Sequence, residues 1–147
     1  LCTFSKHREV KHGARPIQLL RRLQTSMWKN VGLVRDQEKG MRALSEIDQI
    51  EAESAEMGFP ARPGYCTDLK DAFELATMLE VARATARSAL ERRESRGAHA
   101  RSDYPARDDK NWLANIFVRG VGKSMRTAVR PSAAASEAMA GMRRPTS

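Results

Sequence analysis

Residues 67–97 read TDLKDAFELATMLEVARATARSALERRESRG and decide the fold, because their apolar residues keep to one helical face for about 25 residues. Thr67 or Asp68 is predicted to cap this helix, and Gly97 is predicted to end it, because glycine tolerates the left-handed conformation found there. Small residues on the inner face let neighbouring helices approach closely. The predicted inner face consists of Leu69, Ala72, Phe73, Ala76, Leu79, Ala82, Ala86 and Leu90.

Two shorter helices are predicted before this long one. The first runs from Pro16, which suits the first helical position, to about Asn30, and Trp28 is expected to anchor it against a neighbour. Gly32 breaks the pattern, and Asp36 is the predicted N-cap of the second helix. The apolar stripes are Ile17, Leu20, Leu23, Met27 and Val31 in the first helix and Met41, Leu44, Ile47, Ile50 and Met57 in the second.

The C-terminal part of the chain changes from helical to strand patterning. Residues 58–66 are a predicted loop rich in Pro and Gly, and residues 98–111 are a predicted ordered loop. Residues 112–119 and 124–130 are predicted strands of a β-hairpin that turns at residues 120–122 and ends at Pro131. Met125, Thr127 and Val129 are expected on one side of the second strand.

The predicted fold class is therefore mostly α: a three-helix bundle of long antiparallel helices with a small C-terminal β-hairpin. Residues 1–15 are expected to form a basic extended entry segment, residues 16–131 the helical domain with its hairpin, and residues 132–147 a flexible tail. A chain of 147 residues fits one domain.

Several classes of protein are excluded by composition. No apolar run reaches the roughly 20 residues of a membrane span. Two cysteines, Cys2 and Cys66, are too few for a disulfide framework. Residue 1 is Leu, without a signal-peptide pattern, so we expect a processed terminus or a piece of a longer chain.

The net charge of +8 is unevenly distributed. Residues 1–35 have eight basic and one acidic side chain, residues 36–100 nine basic and thirteen acidic, and residues 101–147 nine basic and four acidic. Basic ends around an acidic middle favour docking to an acidic partner. Nucleic acid, a membrane surface and another protein all remain possible.

Three weak motifs are better explained without a site. Residues 120–124, GVGKS, are similar to a phosphate-binding loop, but Phe117 occupies the position of the required first glycine, so a basic hairpin turn is favoured. Cys2, His7 and His12 lack a fourth metal ligand, and a solvated basic arm is favoured. For the pairs Arg21-Arg22, Arg92-Arg93 and Arg143-Arg144, a solvated or subunit-docking face is favoured over phosphate contacts.

Residues 91–112, ERRESRGAHARSDYPARDDKNW, form what we call the motif segment. Arginine and carboxylate groups are planar and matched, so they pair through two hydrogen bonds and can order a loop. The residues alone leave two interpretations open: a self-contained salt-bridged loop, or a segment ordered at an interface.

The motif segment closely resembles the C-terminal domain of succinate dehydrogenase/fumarate reductase flavoprotein subunits. The resemblance rests on ESRGAHAR (94–101), DYP (103–105), RDD (107–109) and NWL (111–113), with NVGLVR (30–35) upstream, and extends over roughly residues 16–131. It implies a helical bundle with a β appendage that packs against an FAD-binding domain and lies near the iron–sulfur subunit. The implied motif or interface residues are Glu94, Arg96, His99, Arg101, Asp103, Asp108, Asp109 and Trp112.

The same resemblance implies where the chemistry lies. FAD and the dicarboxylate are held by segments outside this chain, so no catalytic, cofactor-binding or metal residue is transferred to it, and the isolated chain is expected to be inactive. Contact with a membrane is expected only through partner subunits. The implied location is the cytoplasm, at the inner face of the membrane through partner subunits. In a eukaryote it would be the mitochondrial matrix.

Two other functions are carried as alternatives. The charged ends fit a basic helical module that binds nucleic acid or protein, although direct nucleic-acid binding is not the expectation. A freestanding enzyme would use His99 as a base, oriented by Asp103 or Asp108.

Overall fold

The computed structural model describes residues 13–57 and 67–133. The helices are α1 (Pro16–Val31), α2 (Gln37–Ala55), α3 (Thr67–Glu91) and α4 (Asp109–Trp112). The strands are β1 (Val34–Arg35), β2 (Ala100–Arg101), β3 (Ala114–Arg119) and β4 (Arg126–Pro131), and a 3-10 turn spans Gly122–Ser124. The predictions for residues 1–12, for the 58–66 loop and for residues 134–147 lie outside the described residues.

The three long helices α1, α2 and α3 pack on one another around a single core, so the predicted helical bundle is confirmed. Burial of these apolar side chains is the main favourable contribution to folding. Alanine allows close approach, as predicted: Ala82 and Ala86 are buried, while Ala76 is half-buried. The core residues are Leu19, Leu20, Leu23, Val31, Ala43, Ile47, Ile50, Leu75, Leu79, Ala82 and Ala86.

The prediction was wrong for three residues that were expected to face the core. Trp28, Met41 and Phe73 are 79%, 58% and 53% exposed. The buried stripes are instead centred on residues such as Leu23, Ile47 and Leu75. At about 100° per residue, each exposed side chain lies roughly 120–160° around its helix from the buried residue of the same helix. Each of these three apolar residues is close in sequence to the buried stripe of its helix and was mistaken for a member of that stripe.

The helix ends were predicted with mixed success. Asp36 caps α2 as expected, because its carboxylate accepts a hydrogen bond from the Lys39 N–H at 2.7 Å. Gly97 does not end α3, which stops at Glu91. Gly97 instead has φ +57° in a tight turn where the Arg96 N–H donates to the His99 carbonyl at 2.8 Å.

The predicted hairpin is confirmed, with β3 and β4 antiparallel and Ile116 opposite Val129. Its predicted bounds were wrong: Trp112 ends α4, Ser124 lies in the 3-10 turn, and Pro131 belongs to β4. Side chains of α3 hold it in place. The Glu80 carboxylate accepts from the Gly122 N–H, and Arg87 donates to the Met125 carbonyl. Near the helix end, the Thr127 hydroxyl donates to the Glu91 carboxylate at 3.2 Å.

A second, unpredicted pairing joins β1 and β2 in parallel, with Val34 opposite Ala100 and Arg35 opposite Arg101. Two-residue strands leave no periodic signal in the sequence. The pairing ties the α1–α2 connection to the motif segment. Within residues 13–57 and 67–133, no helix combines the length and apolar character needed to cross a membrane.

Candidate functional site

The motif segment folds around one buried carboxylate, that of Glu94, whose exposure is 0%. Its Oε1 accepts from Arg92 Nη1 at 2.6 Å and from Arg96 Nε at 2.7 Å. Its Oε2 accepts from Arg96 Nη2 at 3.1 Å and from the Asp108 N–H at 2.9 Å. Four donors therefore satisfy a charge that would be costly to bury alone.

The electrostatics of Glu94 reflect this environment. Burial by itself would raise the pKa, but the hydrogen bonds from Arg96, the Asp108 N–H and Arg92 lower the pKa of Glu94 to about 2. The hydrogen bond to Glu94 is the largest cause that raises the pKa of Arg96, and the hydrogen bond to Asp109 is the next. Glu94 thus stays ionised at neutral pH and acts as the anchor of the segment.

Arg101 and Asp103 form a second pair that connects two helix ends. Arg101 is 2% exposed, and its Nη1 donates to the carbonyls of Ala89 at 2.8 Å and Leu90 at 3.1 Å at the C-terminal end of α3. Gln37 is the first residue of α2, and its N–H donates to Asp103 Oδ2 at 3.0 Å. A cation at a helix C-terminus and an anion at an N-terminus are both favourable placements.

His99 is held as a neutral ring. Its Nδ1 lies 2.8 Å from Arg35 Nη1, and its Nε2 lies 3.3 Å from the Arg92 carbonyl oxygen. A guanidinium has only donors, so Nδ1 must accept and Nε2 carries the proton. Burial, followed by the nearby Arg35, Arg101 and Arg92 charges, lowers the pKa of His99.

The remaining motif residues close the segment. Asp108 caps α4 by accepting from the Asn111 N–H at 3.1 Å. Asp109 binds Arg96 and also Arg107, whose Nε lies 2.8 Å from Asp109 Oδ1. The Arg92 guanidinium lies 5.6 Å from the centre of the Trp112 ring, within the range of a cation–π contact.

The structure thus brings all eight sequence-predicted motif residues into one connected region. His99 contacts neither of its hypothetical orienting carboxylates, since Asp103 pairs with Arg101 and Asp108 caps α4. Sequence reasoning missed Ser95, whose hydroxyl accepts from the Arg101 N–H at 2.8 Å and lies 2.8 Å from the Tyr104 carbonyl oxygen. A serine beside charged residues gives no signal by which its role could have been found.

The interpretation of the basic pairs needs correction at Arg92. Arg92 binds the buried Glu94 and the carbonyls of Trp112 and Ala114, so it does not lie on a solvated face. Arg22 is exposed, as expected, and donates to the exposed Glu53. The third pair, Arg143-Arg144, lies outside the described residues, as do Cys2, His7 and His12. In the part of the chain that the structure describes, no three His, Cys, Asp or Glu residues are placed to hold a metal ion.

A helical bundle with this hairpin is the fold of a domain found in larger oxidoreductases. The structure matches the Sdh1 complex of Mycobacterium smegmatis in the apo form, with a TM-score of 0.71 and 27% identity over 82% of this chain and 21% of that one. Adenylylsulfate reductase from Archaeoglobus fulgidus, at 22% identity and a TM-score of 0.74, shares the fold over 84% of this chain and 20% of its own.

The chain belongs to the fumarate reductase flavoprotein C-terminal family, whose sequence profile matches residues 20–140. One relative is the fumarate reductase flavoprotein of Helicobacter pylori, which is 36% identical over 111 residues. That match covers 75% of this chain and 15% of the relative. The chain spans between 15% and 20% of the length of the first three curated relatives it matches.

The family name implies a flavin, and the turn of the hairpin does not fit the phosphates of one. The glycine-rich residues 120–124 are the segment most similar to a phosphate cradle. There the Gly122 N–H donates to both carboxylate oxygens of Glu80, at 3.1 and 2.8 Å. This amide is therefore engaged, and the adjacent carboxylate would repel a phosphate.

Proposed function

We propose that this chain is the non-catalytic C-terminal helical domain of a succinate dehydrogenase/fumarate reductase-type flavoprotein. It packs against the FAD-binding domain and lies near the iron–sulfur subunit. FAD and the dicarboxylate are bound by segments outside the chain, which is inactive by itself. Contact with a membrane comes only through partner subunits, on the cytoplasmic side or, in a eukaryote, in the mitochondrial matrix.

One observation carries the packing proposal: three large apolar side chains at the end of α1 and the start of β1, which we call the apolar patch, are exposed near the motif segment. Trp28, Leu33 and Val34 are 79%, 67% and 56% exposed. The patch adjoins the β1–β2 pairing, because the Leu33 carbonyl accepts from the Ala100 N–H at 3.3 Å. Exposed apolar patches of this kind mark interaction surfaces. The motif residues, which bind one another, would then make the edge of this interface rigid.

The experiment that tests the proposal is purification of the protein that contains this sequence from its native source. We would record a visible spectrum and identify all bound polypeptides by mass spectrometry. A flavin spectrum that is bleached by succinate, together with an iron–sulfur protein, is the expected result. Nucleic acid without flavin would contradict the proposal and favour the basic-module alternative.

A matched pair of variants tests the apolar patch itself. Leu33→Asp places a charge in the patch, and Val81→Asp places the same charge at a position on α3 that is 60% exposed. We expect Leu33→Asp to lower the flavin recovered per mole of this sequence, while Val81→Asp leaves it unchanged. Thermal unfolding of the two variants should be similar, since both sites are exposed. Equal flavin recovery from the two variants would place the interface elsewhere.

A further inference from the structure

The outer face of the hairpin carries positive charge without a counter-charge. Residues 110–136 contain five basic residues and no Asp or Glu. Within the described residues, Arg119, Lys123 and Arg126 have no carboxylate partner. This contrasts with the motif segment, where Arg92, Arg96, Arg101 and Arg107 each bind a carboxylate.

The register places two of these charges directly opposite each other. Arg119 pairs with Arg126 across the strands, and Phe117 pairs with Ala128 on the same face. Opposite side chains on one face lie about 5 Å apart at Cβ, and like charges in that position are destabilising. The free hairpin therefore bears a repulsion that an anion seated between the two guanidinium groups would relieve.

The third arginine on this face, Arg130, is held in place by an aromatic ring. Arg130 lies over the Phe117 ring, 5.4 Å from its centre. A guanidinium lying against an aromatic ring keeps its N–H groups free to form paired hydrogen bonds with a carboxylate. The inner face is used differently, since Thr127 binds Glu91 of α3 and Ile116 and Val118 are half-buried.

We propose that the outer face of the hairpin is a docking site for an acidic segment of a partner protein, whose carboxylates bind Arg119, Arg126 and Arg130. The positive charge of the three arginines favours binding of an anion. A protein segment fits better than nucleic acid, because single-stranded nucleic acid needs several stacking rings along a long basic track. This face offers one ring, Phe117, over which Arg130 already lies. The proposal concerns a different surface from the apolar patch and does not rest on the flavoprotein assignment.

The test is a fluorescence anisotropy titration of the full 147-residue chain. The probe is a short labelled peptide of alternating Glu and Ala, with an oligothymidylate of equal charge and phosphatidylserine vesicles as separate arms. The test variant carries Arg119→Gln and Arg126→Gln. The control variant carries Arg21→Gln and Lys29→Gln, which remove the same charge from α1. Circular dichroism checks that each variant is folded.

The expected result is that the hairpin variant binds the peptide about tenfold more weakly, while the control changes by about twofold or less. Equal weakening in both variants would show that only net charge matters, and would overturn the proposal. Tighter binding of the oligothymidylate or the vesicles through the same two arginines would assign the face to nucleic acid or to a membrane, and would also overturn it.

Discussion

Arg101 binds Asp103 in a fork, with Nε to Oδ1 and Nη2 to Oδ2 both at 2.7 Å, and this pair joins the end of α3 to the start of α2. The arginine satisfies carbonyls that the helix leaves without partners. The aspartate satisfies a free N–H at the start of the next helix. Two residues in the motif segment therefore fix the relative position of two helices in the bundle.

Removing the guanidinium should destabilise the domain strongly. We expect Arg101→Gln to lower the free energy of unfolding by roughly 3 kcal/mol, because it leaves part-buried carbonyls without their donor and the Asp103 carboxylate without its counter-charge. Urea denaturation followed by circular dichroism measures the change. Arg107→Gln is the matched control, because its pair with Asp109 is exposed, and it should cost about 0.5 kcal/mol or less. Equal costs for the two substitutions would contradict the role given to Arg101.

The stability of the domain should fall in acid through Glu94 and Asp103. Both have a pKa lowered to about 2 in the folded protein, against ordinary values of 4.5 and 3.8. The unfolded chain therefore binds more protons in that range, so the stabilisation is complete above about pH 4.5 and is lost as the pH falls towards 2.

Denaturation midpoints measured across this range check the effect. Glu94→Gln should lower stability at neutral pH and flatten the acid loss. Glu38→Gln, at an exposed pair with Arg42, is the matched control and should change stability little, because exposed ion pairs contribute little. If the Glu94→Gln profile were as steep as that of the parent chain, the acid sensitivity would lie in other carboxylates.

The helical bundle could be predicted because its signal is periodic and local. Leu23, Ile47, Leu79 and Ala86 all lie where the spacing of apolar residues places them. The cap at Asp36 follows from one residue type at one position. Trp28 could not be placed, because an exposed apolar residue next to the stripe leaves the same signal in the sequence as a core residue.

The residues that come together in the motif segment could be named from the sequence, but their geometry could not. The resemblance identified Glu94 and Arg101, but no pattern distinguishes a buried carboxylate from an exposed one. Arg35 meets His99, which lies 64 residues further along the chain, only because β1 and β2 pair. The end of α3 was predicted at Gly97, because the sequence does not show that Arg101 donates to the last carbonyls of α3.

His99 should give a second, separate pH dependence. Its pKa in the folded protein is below the ordinary 6.5, so the unfolded chain binds the extra proton first. Stability should therefore be complete above pH 6.5 and fall as the pH decreases below it. His99→Gln keeps a neutral acceptor for Arg35 and a donor for the Arg92 carbonyl, and should remove this loss. The difference between the two profiles isolates His99 from His7 and His12. Parallel profiles between pH 5 and 7 would mean that His99 does not titrate with unfolding.

The close approach of the helices makes a last prediction about α3. Ala86 is 0% exposed in the core, whereas Ala76 on the same helix is half-buried. Ala86→Leu should lower the free energy of unfolding by roughly 1–3 kcal/mol, because the extra atoms force neighbours from their positions. Ala76→Leu should cost less, since part of the added side chain can reach solvent. Urea denaturation of both variants measures the order. If Ala76→Leu proved the more damaging, the tightest contact of α3 would lie nearer its N-terminal half.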